Sequence, residues 1–323
     1  MDAASLSHEV ISAPSAPRIA LVRECLIRVA GALAGPFADP RIFQVASLGI
    51  LLAAGVFLRD FSLLPAQIIL TFAAAIVAQR ISWRWNPPKS RSLRSAIITA
   101  LGITLLLRTD NLMVHPIAAA SAIAAKSIFR VRGKHLFNPA MLGVIVAIAA
   151  LPGSWVSPGQ WGQEVAYAGW FIALGAIVTR RAERGDISWG FLAMYLGAME
   201  ARDAWLGYSF AVWTHQLDNG ALLLFAFFMI SDPMTSPNSR RGRIAHAAVV
   251  AAIALALQFG LYAQNSLVWA LFCASFAVPA WDRLFPAPKF EWNSKGGSHD
   301  SENGRANSGR TRDPRRRRHY IAA

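Results

Sequence analysis

The sequence predicts an all-α integral membrane protein with about ten transmembrane helices. Of its 323 residues, 54% are hydrophobic and only 15% are charged, and the apolar residues form long uncharged runs between about residues 42 and 281. A soluble domain of this size carries fewer apolar and more charged residues. Because these runs occupy most of the chain, no room remains for a soluble catalytic domain, and the class of soluble enzymes is excluded.

Ten apolar segments approach the ~20 residues that a membrane-spanning helix needs. They lie at roughly 42–58, 63–79, 95–107, 111–129, 136–151, 165–179, 187–200, 218–231, 244–262 and 266–282. Segments three and eight are the weakest. Segment eight is strongly apolar only over 221–230, a length that covers about 15 Å of a ~30 Å hydrocarbon core as a helix. It is predicted to be a short span or a re-entrant helix.

The positions of the basic residues predict the orientation of these segments. Of the 32 Lys and Arg residues, 29 lie in the terminal regions and in alternate loops, and only Arg59, Arg108 and Arg202 lie in the other loops. Cytoplasmic loops of membrane proteins carry such an excess of Lys and Arg. The chain is therefore predicted to cross the inner, cytoplasmic membrane several times, with the N-terminus and the C-terminus both in the cytoplasm.

The chain divides into three predicted regions: a cytoplasmic N-terminal segment at 1–40, a transmembrane domain at 41–285 and a basic C-terminal tail at 286–323. The N-terminal segment mixes apolar and basic residues, which suits an amphipathic helix that anchors the chain to the membrane surface or docks a partner. The tail has nine Lys or Arg and four acidic residues, a net charge of +5. It is predicted to be disordered and attracted to anionic lipids, and nucleic-acid binding is not expected.

Two stretches place proline and polar groups inside apolar runs. They are GKHLFNPAMLG at 133–143 and FFMISDPMTSPNSRRGR at 227–243, with Asn138-Pro139 and Asp232-Pro233 separated by 94 residues. In hydrocarbon, a backbone group freed by proline is costly unless protein or water satisfies it. Proline-interrupted segments in the two halves of a membrane protein indicate a substrate or ion site between repeats.

Two interpretations of Asp232 are open at this point. It is either an intramembrane carboxylate that passes a cation or proton or bonds a cofactor, or a helix-capping residue like Asn138, with Arg240, Arg241 or Arg243 as its counter-charge. No catalytic constellation is present. Cys25 and Cys273 are far apart, no histidine pair has ligand spacing, and no metal site is predicted.

These two stretches resemble motifs of the NqrB/RnfD family of membrane subunits, found in sodium-pumping NADH:quinone oxidoreductase and the Rnf electron-transport complex. KHLFNPAMLG is similar to the FNPA stretch of that family, and ISDPMTSPNSRRGRI is similar to its TDPVTSP…RGR stretch. The similarity covers about residues 42–282 and is closer to a divergent branch that includes the UnbU-type proteins of enediyne biosynthesis. It implies two five-helix repeats and places Asn138, Pro139, Asp232, Pro233 and Thr235 at cofactor-binding or ion-pathway positions.

The same resemblance bears on the cofactor. Main-branch members carry flavin mononucleotide (FMN) linked through phosphate to a threonine of an SGAT-type motif, in the outer loop after the fifth span. This chain has no SGAT-like string and no threonine between Thr109 and Thr179, and its loop offers only Ser154 and Ser157. A covalent FMN-threonine link is therefore not expected, and the resemblance implies FMN or riboflavin bound without a covalent bond.

The leading hypothesis is a membrane subunit that relays electrons within a multisubunit redox complex and couples this relay to cation movement across the membrane. Such a subunit needs no general acid, base or nucleophile of its own, and its partners would be other membrane subunits of the complex. Two alternatives use the same fold without a redox cofactor. One is a passive channel or transporter, and the other is a membrane scaffold.

Overall fold

The computed structural model describes residues 39–59, 61–87, 91–157, 165–217 and 220–291. Most of these residues are helical. The helices are α1 Pro40–Leu58, α2 Pro65–Trp85, α3 Arg94–Leu106, α4 Val114–Ile128, α5 Pro139–Ala150, α6 Val165–Arg181, α7 Gly185–Trp205, α8 Phe210–Leu217, α9 Gly220–Leu224, α10 Arg240–Leu255, α11 Ser266–Ser275 and α12 Val278–Leu284. Two of them continue as π-helical turns, α9 into Phe225–Met229 and α10 into Ala256–Gly260.

Each of the ten predicted apolar segments coincides with a helix or, for the last, with the pair α11 and α12. By length and composition, three of the described helices can cross a membrane: α1, α2, and α10 with its π-helical turn. A fourth span results if α11 and α12, which meet at a 50° bend, count as one. The chain is a multi-pass membrane protein, and the count of ten spans and the orientation of the termini stay predictions.

Segment eight is short, as the sequence predicts. The helix of α9 and its π-helical turn has ten residues, from Gly220 to Met229, and all of them are buried. Ten helical residues rise about 15 Å, half of the ~30 Å core of a bilayer. The protein thus surrounds this helix on all sides, so its short backbone lies among other helices rather than in lipid.

Helices in the two halves of the chain contact one another in matching order. In the first half α1 packs on α3, α2 on α4, and α4 on α5. In the second half α6 packs on α9 and its π-helical turn, α7 on α10, and α10 on α11. This matching order is the one expected if the chain consists of two five-helix repeats, because equivalent helices of two repeats make equivalent contacts.

Small residues let the helices approach closely, as is common in membrane bundles. A Cβ atom added at Gly143 of α5 would lie 2.6 Å from the carbonyl oxygen of Ala118 in α4. One added at Gly175 of α6 would lie 2.4 Å from Cγ of Phe227. These two glycines bring α5 against α4, and α6 against the π-helical turn after α9.

The structure also contains four short strands, which the all-α prediction did not include. Strand β1, Leu107–Thr109, pairs antiparallel with β4, Ser154–Val156. Strand β2, Arg130–Val131, pairs with β3, Lys134–His135, through a two-residue turn. Arg132 and Gly133 in this turn have positive φ angles of 52° and 78°, as a tight hairpin of this kind requires.

The predicted terminal regions fall mostly outside the described residues. The N-terminal segment is described only at 39–40 and the C-terminal tail only at 286–291. The amphipathic helix, the disordered tail and the three-region division therefore stay predictions.

Candidate functional site

Asn138 joins the two motifs that the sequence singled out. It precedes α5 as its N-cap, and its Oδ1 accepts a hydrogen bond from the Met141 amide at 3.1 Å. Its Nδ2 donates to the carbonyl oxygen of Met229 at 3.2 Å, 91 residues along the chain. The capping interpretation of Asn138 is confirmed. The same side chain also binds the end of the helix before Asp232.

Asp232 forms a turn rather than a helix cap. Its Oδ1 accepts a hydrogen bond from the Met234 amide at 3.0 Å, the pattern of an Asx turn. Its carbonyl oxygen accepts the amides of Thr235 and Ser236 at 3.1 and 2.9 Å. Burial raises the pKa of the Asp232 carboxyl above its ordinary value, although the hydrogen bonds that it accepts act in the opposite direction.

The capping interpretation of Asp232 is wrong in two respects. Ser239 caps the following helix α10, because its Oγ accepts the Gly242 amide at 3.0 Å. Arg243 is not the counter-charge of Asp232, since it makes a bidentate ion pair with Asp186 of α7, the shortest contact being 2.6 Å. Arg240 and Arg241 are exposed. The positive charge nearest to Asp232 must therefore come from residues other than these three arginines.

The remaining three predicted site residues lie close to these two. Pro139 is the first residue of α5 and is buried, where its missing N–H costs no helical hydrogen bond. Pro233 is buried inside the Asp232 turn. Thr235 is buried, and its Oγ1 donates to the carbonyl oxygen of Asp232 at 3.4 Å.

A cavity of about 60 Å³ is lined by residues of both motifs, and we call it the motif cavity. Its polar lining comes from Arg41 and Gln44 of α1, Ser95 and Thr99 of α3, and His135, Asn138 and Asp232. Of the predicted site residues, Asn138, Pro139 and Asp232 line it, whereas Pro233 and Thr235 do not. A polar cavity of this size can hold a few water molecules.

Two titratable residues that sequence reasoning did not select lie beside the motif cavity. His135 lines it, and burial, together with the positive charges of Lys126 and Arg130, lowers the pKa of His135 to about 3, so the ring is neutral near neutral pH. Lys126 of α4 donates to Gln79 Oε1 at 2.7 Å and to Ser95 Oγ at 3.0 Å. Its charge acts on Asp232. The sequence signal for His135 was its place within the first motif.

A larger cavity of about 290 Å³ lies at the opposite end of these helices, and we call it the aromatic cavity. Residues from both π-helical turns line it, Phe225 and Met229 from the first and Gln258 from the second. π-Helical turns often occur at functional sites. The other lining residues include Leu106, Val156, Tyr195, Leu222, Asn265 and Ser266.

The lining of the aromatic cavity is uncharged and partly polar. The Tyr195 hydroxyl donates a hydrogen bond to Gln258 Oε1, which leaves the amide nitrogen of Gln258 for a ligand. Phe191 packs behind two lining rings, 5.5 Å from Tyr195 and 5.1 Å from Phe225 between ring centroids. This cavity suits a neutral, flat molecule with hydrogen-bonding groups along one edge.

Met229 lines both cavities. The π-helical turn Phe225–Met229 is thus the part of the chain that stands between them. Among the described residues, no group of three or more His, Cys, Asp or Glu residues could hold a metal ion.

Comparison with known proteins identifies one family. The model of the NQR2, RnfD, RnfE family matches residues 156–291, a range that includes Asp232, Pro233 and Thr235 and excludes Asn138. No curated protein matches the chain. The family resemblance inferred from the two motifs is therefore confirmed for the second motif and its surroundings. Placement in the divergent branch stays a prediction.

Proposed function

From the match of residues 156–291 to the NQR2, RnfD, RnfE family, we propose that this protein is a membrane subunit of a redox-driven electron-transport complex. It relays electrons between partner subunits embedded in the same membrane and couples this relay to cation movement. The family match is the single observation that carries the proposal. The aromatic cavity supports it, because its described lining combines aromatic rings with neutral hydrogen-bonding groups.

A flavin linked to threonine is not expected in this protein. The described part of the outer loop offers Ser154 and Ser157 and no threonine, so no phosphoester-linked threonine can form there. The aromatic cavity is our candidate site for a flavin bound without a covalent bond, and its volume of about 290 Å³ is close to the ~300 Å³ lower limit of typical ligand pockets. A bound flavin would supply one- and two-electron redox chemistry.

The chain's own residues would orient such a ring. Gln258 presents its amide nitrogen to the cavity because Tyr195 occupies its oxygen. Asn265, which makes no capping hydrogen bond with its side chain, offers a second polar group at the start of α11. Phe225 provides an apolar face. Neutral hydrogen-bonding groups favour an uncharged ring over a phosphate, because none of the described lining residues is a cation.

The visible absorption and flavin fluorescence of the purified protein, before and after acid precipitation, test this proposal. Flavin released into the supernatant is the expected result, and Gln258→Leu should lower the flavin content at equal protein yield. A folded protein that is colourless when isolated with its partners would contradict the redox function.

The positions of the two cavities support the cation-coupling part of the proposal and also favour a second candidate, a passive channel. Met229 lines both cavities, so a cation path between them would pass the π-helical turn. Asp232 would be the carboxylate that a cation meets at the motif cavity. Cation flux into liposomes that contain the protein alone would favour the channel, and flux that requires partners and a reductant would favour the redox subunit.

A membrane scaffold is the third function open to this fold. Truncation of the basic tail tests it directly, because a scaffold would lose complex assembly while the flavin content stays unchanged. The tail would also attract anionic lipids, and vesicles with and without anionic lipid separate this attraction from binding to a protein partner.

A further inference from the structure

Hydrogen bonds from Lys134 connect the first half of the chain to the second. It follows Gly133 in the hairpin of β2 and β3, and only 8% of its side chain is exposed. Its ammonium group donates to the carbonyl oxygen of Ser236 at 2.7 Å, to Asn238 Oδ1 at 3.2 Å and to Asp282 Oδ2 at 2.8 Å. All three donors of the lysine are therefore used.

Asp282 of α12 completes this arrangement. While Oδ2 binds Lys134, Oδ1 accepts the amide of Asn238 at 2.8 Å. Asn238 is further held by Arg243, which donates to its carbonyl oxygen at 2.7 Å. The segment 236–238 is thus bound from three directions, by the hairpin, by α12 and by α10.

The bound segment begins at Ser236, the last residue of the Asp232 turn. The amide of Ser236 donates to the carbonyl oxygen of Asp232, while the carbonyl oxygen of the same Ser236 accepts from Lys134. One residue therefore links the lysine to the turn that carries the carboxylate. Because the Ser236 amide is bonded directly to the Asp232 carbonyl oxygen, a shift of Ser236 is expected to move the backbone of Asp232 or to break this hydrogen bond.

Attachment of the hairpin does not depend on Lys134 alone. Phe137, next to the hairpin, packs on Phe272 and Phe276 of the α11 region with ring centroids 5.0 and 5.2 Å apart. Lys289 donates to the carbonyl oxygen of Gly133 at 3.0 Å. Because these contacts already join the two halves, the specific contribution of Lys134 is the contact with the turn.

We propose that Lys134 and Asp282 are positioning residues that hold the Asp232 carboxylate at the wall of the motif cavity. The inference rests on the proposed function, in which Asp232 meets the moving cation, and it assigns two further residues to that site. Neither residue touches the cavity beside Asp232. Both act through the backbone of Ser236 and Asn238.

Infrared difference spectra of the full-length protein, recorded during acidification, test the proposal without any partner subunit. Asp232→Asn identifies the carboxylic C=O band of Asp232. The charged and titratable groups that act on Asp232 or share its cavity are Lys126 of α4, Lys134 of β3, Arg184 between α6 and α7, and Arg41 and His135 at the motif cavity. The variants Lys134→Met and Asp282→Asn are each compared with the wild type.

The two variants separate positioning from simple electrostatics. Through charge alone, loss of a cation in Lys134→Met raises the midpoint pH of Asp232, and loss of an anion in Asp282→Asn lowers it. If both residues position the turn, either change lets water reach the carboxyl. Both variants then lower the midpoint pH of Asp232. A shift of one pKa unit means that a proton concentration about tenfold higher is needed to protonate half of the carboxyl groups.

Lys289→Met is the matched control, because it removes a lysine contact with the same hairpin and none with the turn. It should leave the midpoint unchanged. Opposite shifts in Lys134→Met and Asp282→Asn, unchanged midpoints in both, or the absence of an Asp232 band from the wild type would each overturn the proposal. If Lys134→Met does not fold, Lys134→Gln takes its place, because it also removes the charge, so that charge alone raises the midpoint and loss of positioning lowers it. Since the spectra require neither electron transfer nor flux, their failure leaves the proposed function standing.

Discussion

The two ends of the helix bundle accommodate buried polar groups in different ways. At the end that carries the two motifs, ion pairs and hydrogen bonds connect Lys134, Asp282, Arg243 and Asp186, and only about 60 Å³ stays open. At the other end the polar groups that line the described cavity are neutral, and this cavity of about 290 Å³ stays open. At the motif end, charged groups hold the backbone around a carboxylate in place. At the other end, neutral groups surround the space that suits a ligand.

This contrast predicts the largest effect for the ion pair at the motif end. Asp186→Ala removes the bidentate partner of Arg243, whose side chain is 10% exposed. An uncompensated buried charge costs about 3–5 kcal/mol. We expect the unfolding temperature of the solubilised protein to fall markedly.

The ion pair of Arg202 and Asp203 at the other end is the control. The arginine is 39% exposed and the contact is 3.4 Å, so Asp203→Asn, which leaves a water-accessible arginine, should cost at most about 1 kcal/mol. If the two ion-pair variants lost similar amounts of stability, the proposed difference between the two ends of the bundle would be wrong.

The second prediction concerns Asn138, which binds two motifs at once. Asn138→Ala removes a helix cap, worth about 1 kcal/mol, and leaves the Met229 carbonyl without its side-chain donor, which costs about 1–3 kcal/mol more. Ser239→Ala removes a cap alone. Thermal unfolding should therefore show the larger loss for Asn138→Ala, and equal losses would mean that the contact between the motifs contributes nothing.

A third prediction tests the close approach of the helices. Gly143→Ala places a Cβ atom 2.6 Å from a backbone oxygen of α4, and overpacking of this kind costs about 1–3 kcal/mol. Gly197→Ala meets no atom within 4 Å and should stabilise α7 slightly, by up to about 1 kcal/mol. Urea or thermal unfolding of the two variants should give changes of opposite sign, and a stabilising Gly143→Ala would contradict the packing described.

The smallest effect is expected at the aromatic cavity. Tyr195→Phe removes one neutral hydrogen bond to Gln258, worth about 0.5–1.5 kcal/mol. The unfolding temperature should change little. The flavin content should rise or fall instead, because the freed oxygen of Gln258 changes what the cavity offers to a ligand, and an unchanged content would place the ligand elsewhere.

Much of the fold follows from hydropathy and charge, because local composition decides whether a segment can lie in a bilayer. The positions of all ten helical segments follow from it, as does the short eighth segment. The Asn-Pro pair also predicted the cap of α5. These features depend on residues that are neighbours in sequence.

The parts that the sequence did not predict depend on distant residues. Lys134 meets partners 102, 104 and 148 residues away, and Asp186 meets Arg243 57 residues away. No local pattern indicates such pairs, which explains why Arg243 was considered a counter-charge for Asp232. The four short strands were missed because two or three residues are too few for a periodic signal.

The carbonyl oxygen of Met229 accepts from Asn138 in the first half and, at 3.4 Å, from the amide of Asp232 in the second. If the chain were divided in the loop between α5 and α6, this oxygen would lie at the contact between the two resulting polypeptides. Each fragment would carry an incomplete polar surface that the other completes, with lysine and asparagine on one side and aspartate and carbonyl on the other. Such fragments, produced as separate proteins, would recognise each other and reassemble as a pair.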